Sequence, residues 1–560
     1  MLAARTVAFL IAVSLAVAGL TTAYDGTAAV AAPSDEVYEV HYVPTVGDAV
    51  IRVEIWRDTS YDQASQPVIL TYSPYNSLGE PEPARDSLGE TYVPQGYARA
   101  VADVLGTRGS TGCWNYGGPE EQQSGVDVVK YLAGQDWSNG KVAMIGGSYN
   151  GTTASMVAAR GADVPELAAI VPISAISRWY GYAYGNGVRY FLNSKVPSDE
   201  GFDTPLAFDF GFGKTVAADP MGQHFADTLR ARAAECGATE HTEEGYSRNP
   251  DYDGFWSARD YRKDASDFRA AVLLAHGWQD YNVKQEEGTE LYRELPIDDA
   301  ATAAAEGVPF KLMYLTQGSH SGGTSGEQWA GLLDRFLAHT LKGEANGVED
   351  EGPVITQGRD STGPGEFRTE AAYPLRRTRP TTMWLSSDEQ LSTKPDRRGQ
   401  IGSYVETGTS TEELPAHSGR YYLSPTLAAD TRIVGSAVLD AWARVSSATM
   451  HLTPVLVDVA PDGSVQTIER GFQHVDYRDQ LASADPEPGT WNRTQVRLLP
   501  QDYTVAAGHR IGLWVQSSNT IWAVPGNPGT VDISEGRIKG AAPGSRLVLP
   551  TIGSAARFAR

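Results

Sequence analysis

The feature that most constrains the fold is the alternation of short apolar runs with longer amphipathic segments between Val37 and Lys342. Short apolar runs of this kind are typical of strands buried on both faces of a parallel sheet. The runs are Val68–Tyr72, Lys141–Ile145, Leu167–Ile173, Ala271–Ala275 and Phe310–Leu315. A last helix is predicted from apolar residues at helical spacing, which are Trp329, Leu332, Leu333, Phe336 and Leu337. The pattern therefore predicts an α/β fold in which helices cover a parallel sheet.

Two stretches depart from this alternation and divide the chain. Residues 177–263 are rich in aromatic residues, Gly and Asp, which predicts an insertion that forms a cap above the sheet. Residues 352–560 contain short alternating runs, and Pro461-Asp462-Gly463 separates two of them as in a hairpin. This second stretch is expected to be an all-β sandwich. Residues 33–176 and 264–345 then form the α/β core.

The N-terminus has the pattern of a secretory signal peptide. A single Arg5 precedes an apolar stretch from Val7 to about Leu20, and small residues follow. The stretch is short for a membrane span, so residues 1–32 are expected to be removed and the mature chain to be secreted. An uncleaved N-terminal anchor is the alternative. No membrane association is expected after removal, because no second long apolar run follows.

Charge and composition argue against several classes of function. The formal net charge of -23 argues against nucleic acid as a partner, because a polyanion would be repelled. The histidines form no His-Glu-x-x-His motif, so no metal or other cofactor is expected, although Asp-rich loops leave calcium binding open. Cys113 and Cys236 are the only cysteines, and they either form a disulfide or stay unpaired and buried. The oligomeric state is not predicted.

The sharpest local motif is Lys141-Val-Ala-Met-Ile-Gly-Gly-Ser-Tyr-Asn-Gly151. A strand is expected to end at Gly146, Ser148 follows in a tight turn, and a helix can begin at Thr152. A nucleophile elbow needs this strand–turn–helix arrangement, with small neighbours that let the backbone pass closely. The usual pattern is Gly-x-Ser-x-Gly, whereas here Asn150 takes the fifth position and the glycine follows one residue later. By itself, the segment also fits an ordinary glycine-rich turn.

An acid and a base follow two further predicted strands, in the chain order Ser, Asp, His. The two segments are His276-Gly-Trp-Gln-Asp280 and Thr316-Gln-Gly-Ser-His320. Because the carboxyl ends of parallel strands meet at one edge of a sheet, Ser148, Asp280 and His320 are expected to form a catalytic triad of the α/β-hydrolase type. Ser148 would attack a carbonyl carbon, His320 would transfer the proton and Asp280 would orient the imidazole. His276, at a strand end before the acid, is expected to be structural.

A developing oxyanion needs hydrogen-bond donors. The backbone N–H of Tyr149, directly after the nucleophile, is the standard first donor. The second is expected from the loop Tyr72-Ser-Pro-Tyr75, through the hydroxyl of Tyr75. The alternative for Tyr75 is a loop aromatic that only packs.

Several segments resemble the X-prolyl dipeptidyl aminopeptidases, within the wider group of cocaine-esterase-like hydrolases. The segments are Gly106–Gly112, Trp137–Gly151, Ser177–Tyr182, Phe255-Trp256 and His276–Val283. The resemblance implies an α/β-hydrolase core, a helical cap and a C-terminal jelly-roll (galactose-binding-like) domain. It implies release of N-terminal Xaa-Pro dipeptides from peptide substrates, the same triad, and Tyr75 as an oxyanion donor. The chain has no room for the large N-terminal assembly domain of the lactic-bacterial members, which puts their dimer in doubt here.

The resemblance also implies substrate-binding residues. It places Trp179, Tyr182 and Asn282 around the proline pocket. A dipeptidyl-peptidase must recognise the α-ammonium group of its substrate, and a carboxylate can do so through a charge-assisted hydrogen bond. The acidic segment at residues 198–203 makes Glu200 the candidate and Asp199 the reserve, with a solvated acidic loop as the alternative. Two other functions stay open, an esterase or amidase of the same fold and a non-catalytic carbohydrate-binding protein.

Overall fold

The computed structural model describes residues 35–75, 85–190, 250–296, 310–320, 322–412 and 418–559. The helices in these ranges are α1 Ser87–Tyr92, α2 Pro119–Ala133, α3 Tyr149–Ala158, α4 Trp179–Ala183, α5 Gly254–Ser257, α6 Gln285–Glu294 and α7 Glu327–Lys342. The strands before residue 320 are β1 Glu36–Pro44, β2 Val50–Asp58, β3 Gln66–Ser73, β4 Ala98–Asp103, β5 Ser138–Gly147, β6 Leu167–Ile173, β7 Tyr184–Gly185, β8 Val188–Arg189, β9 Ala271–Gly277 and β10 Lys311–Thr316. Over the described ranges, no helix is both long and apolar enough to cross a membrane. The predicted signal peptide lies outside these ranges.

The later strands are all short. They are β11 Val354–Asp360, β12 Gly363–Glu370, β13 Thr378–Ser386, β14 Gln390–Ser392, β15 Gln400–Glu406, β16 Arg420–Leu423, β17 Thr431–Gly435, β18 Val438–Val445, β19 His451–Leu452, β20 Val455–Val459, β21 Val465–Arg470, β22 Gln473–His474, β23 Asn492–Arg497, β24 Gln501–Val505, β25 Arg510–Val515, β26 Gly529–Glu535 and β27 Arg546–Ile552. No α-helix follows α7 in the part of the chain that the structure describes. The expectation of an all-β C-terminal region is therefore confirmed.

One mixed sheet forms the α/β core. Its strands lie in the order β1-β2-β4-β3-β5-β6-β9-β10-β11, and those from β4 to β11 are parallel. At one edge β1 and β2 pair antiparallel with their neighbours, and at the other edge β11 pairs antiparallel with β12. Each of the five predicted runs matches one parallel strand, although β10 begins at Lys311, one residue after the start of its run. The predicted parallel sheet is confirmed. Since β11 pairs with β10, the sheet continues beyond residue 345.

The central strands of this sheet are buried on both faces. In β3, Val68 and Leu70 belong to the apolar cluster on one face and Ile69 to the cluster on the other, and all three are fully buried. The second cluster also contains the predicted apolar stripe of α7, from Trp329 to Leu337. With helices on both faces, the carboxyl edge of the sheet is left for the loops that follow β5, β9 and β10.

The C-terminal strands enclose a separate core. β20 and β21 form the predicted hairpin around Pro461-Asp462-Gly463, and β20 also pairs with β25. β18 pairs with β23, β26 and β27. Leu456 and Leu513 from the first group meet Leu439 and Ile533 from the second in one buried cluster. This region therefore buries its own apolar residues and packs beside the α/β core.

Most of the predicted cap, residues 191–249, lies outside the described residues, so the helical cap and the domain boundaries stay predictions. The two described flanks are joined, because the Tyr261 N–H donates to the Ser177 carbonyl at 3.0 Å. Cys113 is held in a disulfide bond. The other cysteine of the sequence, Cys236, lies outside the described residues.

Candidate active site

Ser148 lies in the turn between β5 and α3 in the strained backbone conformation of a nucleophile elbow. Its φ is 59° and its ψ is -125°, a conformation that costs a residue other than glycine about 1–3 kcal/mol. The N–H of Ser148 donates to the Ile173 carbonyl at 2.8 Å, and its carbonyl accepts from the Thr152 N–H at 2.9 Å. β6 and α3 therefore hold the turn from both sides.

The displaced glycine of the elbow motif has a steric reason. A Cβ atom at residue 151 would lie 2.6 Å from the Gly146 carbonyl oxygen and 2.9 Å from the Ile173 backbone nitrogen. A Cβ atom at residue 146 would lie 2.3 Å from the Asn150 Cβ. α3 therefore comes closest to β5 at Gly146 and Gly151. Residue 150 does not need to be glycine and carries an asparagine side chain.

Asp280 and His320 form the hydrogen-bonded pair that the sequence predicts. The Asp280 carboxylate is fully buried in the loop after β9, and its Oδ2 atom accepts from His320 Nδ1 at 2.8 Å. Its Oδ1 atom accepts from the backbone N–H groups of Asn282 at 3.1 Å and Val283 at 3.0 Å. One oxygen is therefore fixed by the loop, and the other is directed at the imidazole.

His276 has the structural role that the sequence predicts. Its Nε2 atom lies 2.9 Å from the Val283 carbonyl oxygen, and since a carbonyl can only accept, this nitrogen carries the proton. Burial lowers the pKa of His276, and the nearby Asp280 carboxylate acts against that shift. This hydrogen bond fixes Val283, at the far end of the loop that carries Asp280.

Tyr75 and Tyr149 converge on the nucleophile. The phenolic oxygen of Tyr75 forms hydrogen bonds with the Ser148 side chain and with the Tyr149 backbone N–H, which lower its pKa against the larger rise caused by burial. The backbone N–H of Tyr75 donates to Ser73 Oγ at 2.9 Å, which fixes the loop after β3. The two predicted oxyanion donors are therefore brought together beside Ser148.

The Tyr149 side chain is held by Glu121 and Trp114, two residues that no sequence pattern indicates. Its hydroxyl donates to Glu121 Oε1 at 2.7 Å and accepts from Trp114 Nε1 at 2.9 Å. Glu121 is fully buried on α2, and its other oxygen accepts from the Gly117 N–H at 2.7 Å. Burial raises the pKa of Glu121 to about 7, while these hydrogen bonds act to lower it. The side chain of Tyr149, whose backbone N–H is the predicted oxyanion donor, is thereby held in place.

Aromatic side chains of α4 pack against Tyr149, the residue after the nucleophile. The Trp179 ring lies edge-on to Tyr149, with 5.5 Å between centroids, and to Tyr182, with 5.8 Å. The Tyr182 hydroxyl donates to Asn282 Oδ1 at 3.2 Å. The structure thus brings the three residues of the predicted proline pocket together. Glu200 and Asp199 lie outside the described residues.

The fold and this site define a serine hydrolase of the α/β-hydrolase type. The family model of the X-Pro dipeptidyl-peptidases (S15 family) matches residues 47–322. The model of the X-Pro dipeptidyl-peptidase C-terminal non-catalytic domain matches residues 346–543. The chain belongs to this X-Pro dipeptidyl-peptidase family.

Curated relatives agree with this assignment, and solved structures share the fold. A Bacillus cereus protein assigned as an Xaa-Pro dipeptidyl-peptidase is 28% identical over 538 residues, covering 87% of this chain and 86% of the relative. The Xaa-Pro dipeptidyl-peptidase of Lacticaseibacillus paracasei is 27% identical over 67% of this chain and 48% of its own. A CocE/NonD family hydrolase from Staphylococcus aureus superposes with a TM-score of 0.70 at 17% identity, over 93% of this chain and 97% of that chain. An aminopeptidase from a marine sediment Thaumarchaeota archaeon also gives 0.70 at 17% identity, over 94% and 99%. The two solved structures show the shared fold.

Proposed function

We propose that this protein is a secreted serine peptidase that releases N-terminal Xaa-Pro dipeptides through an acyl-enzyme. The main structural support for this chemistry is that the Tyr75 hydroxyl and the Tyr149 backbone N–H both lie beside Ser148. The Asp280–His320 pair at the same edge of the sheet supports it. Membership of the X-Pro dipeptidyl-peptidase family supports peptide substrates with proline in the second position.

The residues divide the reaction between them. Ser148 Oγ attacks the carbonyl carbon of the substrate proline, and His320 takes the hydroxyl proton through the nitrogen that Asp280 leaves free. The Tyr75 hydroxyl and the Tyr149 N–H stabilise the oxyanion. His320 then protonates the leaving amine, and a dipeptidyl ester remains on Ser148. Water, deprotonated by His320, then attacks this ester. The bond between the acyl carbon and Ser148 Oγ breaks, His320 returns the proton to Oγ, and the dipeptide is released.

Secretion is supported by two independent features. The apolar segment after Arg5 is typical of a signal peptide, and Cys113 is in a disulfide bond. Disulfides persist mainly in oxidising compartments. N-terminal sequencing of protein from culture medium should find a chain that begins between residues 24 and 33.

The triad is tested by replacing its nucleophile. Ser148→Ala should lower turnover of Ala-Pro-p-nitroanilide by about 10⁶-fold, because members of a triad act as a unit. The wild type should also react with a fluorophosphonate probe, and the variant should not. Turnover of p-nitrophenyl butyrate, measured beside the peptide substrate, separates a peptidase from an esterase. A folded Ser148→Ala variant with substantial activity would contradict the assignment.

The substrate amine supplies a second test. We propose that Glu200, with Asp199 as the reserve, pairs with the α-ammonium group of the substrate. Glu200→Gln should then weaken hydrolysis of free-amine Xaa-Pro substrates by about 1.5–3 kcal/mol, the range for a hydrogen bond to a charged group. Hydrolysis of an ester that lacks the amine should hardly change. The test is the ratio of kcat/KM for the two substrates, compared between the wild type and the variant. Equal losses of kcat/KM on both substrates would contradict a role of Glu200 in binding the substrate amine.

A further inference from the structure

The loop that carries Asp280 is held by the C-terminal β region on both sides of the acid. Directly before it, Gln279 Nε2 donates to Gln501 Oε1 on β24 at 3.3 Å. Directly after it, the Tyr281 ring lies against the Arg470 guanidinium, whose central carbon is 4.3 Å from the ring centroid. Both sequence neighbours of the acid therefore contact strands outside the α/β core.

A buried cluster of side chains makes the closest of these contacts. The Trp278 carbonyl, two residues before Asp280, accepts from Gln285 Nε2 at 2.6 Å and from Gln501 Nε2 at 2.5 Å. The same two amide nitrogens donate to Glu469 Oε2, at 3.3 Å from Gln285 and 2.9 Å from Gln501. Each amide nitrogen has two hydrogens, so each can serve both acceptors at once. Since neither acceptor has a hydrogen to give when Glu469 is ionised, this pattern fixes both amides in one orientation.

The donors around residue 469 favour a carboxylate over an amide at this position. Glu469 Oε2 faces the two amide nitrogens, and Glu469 Oε1 accepts from the backbone N–H of Arg470 at 2.9 Å. A glutamine would turn its own NH₂ group toward one of these donors in either orientation. Burial raises the pKa of Glu469 to about 8, while the Arg470 charge and the Gln501 amide lower it. The variants below are therefore compared at pH 9, above this value.

We propose that Glu469 and Gln501 of the C-terminal β region, together with Gln285, position Asp280 for its hydrogen bond with His320. They act by fixing the Trp278 carbonyl, from which the loop runs directly to Asp280. The β region then contributes to the chemical step, as a set of positioning residues for the acid. The inference rests on the triad of the proposed function and is independent of its substrate.

An ion pair between the same two regions provides a matched control. Arg497 on β23 binds Glu290 on α6, with 2.6 Å between Arg497 Nη2 and Glu290 Oε1. This pair lies on the helix rather than on the acid loop. Arg497→Met removes a charged contact between the regions and leaves the cluster around the Trp278 carbonyl intact.

The experiment compares Glu469→Gln and Arg497→Met with the wild-type chain at pH 9. The first measurement is the rate constant for phosphonylation of Ser148 by diisopropyl fluorophosphate, which needs the triad but no dipeptide recognition. The second is kcat and KM on Ala-Pro-p-nitroanilide. Glu469→Gln should slow phosphonylation and lower kcat by about 10- to 100-fold, because small misplacements of catalytic groups have effects of this size. The KM of Glu469→Gln should stay within about twofold of the wild-type value. For Arg497→Met, the phosphonylation rate constant, kcat and KM should all stay within about twofold of the wild-type values.

Three results would overturn the inference. A folded Glu469→Gln variant that is phosphonylated as fast as the wild type would overturn it alone. Equal losses of phosphonylation rate and kcat in Glu469→Gln and Arg497→Met would mean that the cluster only holds the two regions together. A wild-type chain that does not react would overturn the proposed function and this inference with it. If Glu469→Gln does not fold, Gln501→Met takes its place, with the same expected losses and the same contradicting results.

Discussion

A single oxygen atom separates the two interpretations of Tyr75, an oxyanion donor or a packed aromatic. The structure places that oxygen beside both the Ser148 side chain and the Tyr149 N–H. Tyr75→Phe keeps the ring and removes only the donor, and loss of one oxyanion donor costs about 10²–10³ in turnover. The variant should therefore lower kcat by this factor and leave KM nearly unchanged. Steady-state kinetics on Ala-Pro-p-nitroanilide measure both, and an unchanged kcat would return Tyr75 to the packing role.

The residues that the sequence reveals are those tied to a local pattern. Ser148, Asp280 and His320 each follow a strand-like run, so their order and their common edge can be predicted together. Glu121 has no such signal, since an acid in the first turn of a helix is usual on a solvated face. Its partner Tyr149 lies 28 residues further along the chain. Only the folded chain shows that this carboxylate is buried against the residue after the nucleophile.

At the scale of elements, burial decides what the sequence can predict. β6 has the predicted bounds Leu167–Ile173 because the run is buried and its limits are abrupt. The hairpin of β20 and β21 is found through its Pro-Asp-Gly turn. The edge pair β1 and β2 is not distinguished in advance, because strand direction at an edge depends on long-range pairing. The same holds for β11, which joins the core sheet after a sequence change that predicts a different domain.

The contact between β5 and α3 leads to a prediction about the elbow. Gly151→Ala would place a Cβ atom 2.6 Å from the Gly146 carbonyl oxygen, which is a backbone atom and cannot turn away. The helix must then shift, at a cost of about 1–3 kcal/mol for overpacking, and Ser148 must move with it. We expect a lower melting temperature together with a large loss of kcat.

Gly331 offers the matched control for this substitution. It lies inside α7, and a Cβ atom there would meet nothing within 4 Å. Gly331→Ala should therefore stabilise the protein by about 0.5–1 kcal/mol, because alanine loses less backbone entropy in a helix. Thermal unfolding and kcat should be measured for both variants. A Gly151→Ala variant with the stability and turnover of the wild type would contradict the close packing of the elbow.

At the scale of the whole molecule, the buried side chain of Lys284 leads to a prediction about stability. It lies between the loop that carries Asp280 and the segment around Tyr182 and Tyr190. Lys284 is fully buried, and its Nζ atom donates to the Tyr182 carbonyl at 3.0 Å. The same atom lies 4.0 Å from the centroid of the Tyr190 ring. Burial lowers the pKa of Lys284 to about 8, while the carboxylates of Glu286 and Glu287 act to raise it. An unfolded chain would bind this proton up to the ordinary value of 10.5.

This difference predicts how the stability of the molecule depends on pH. Between about pH 8 and 10.5 the unfolded chain holds a proton on Lys284 that the folded chain has released. Stability from this group therefore rises with pH across that window, by about 3 kcal/mol in total. The free energy of unfolding in urea should be measured for the wild type and for Lys284→Met at several pH values from 7 to 10.5. The wild-type value should rise by this amount relative to that of the variant. Lys130→Met, an exposed site on α2, should show no such trend, and parallel curves for the wild type and Lys284→Met would exclude a folded-state pKa near 8.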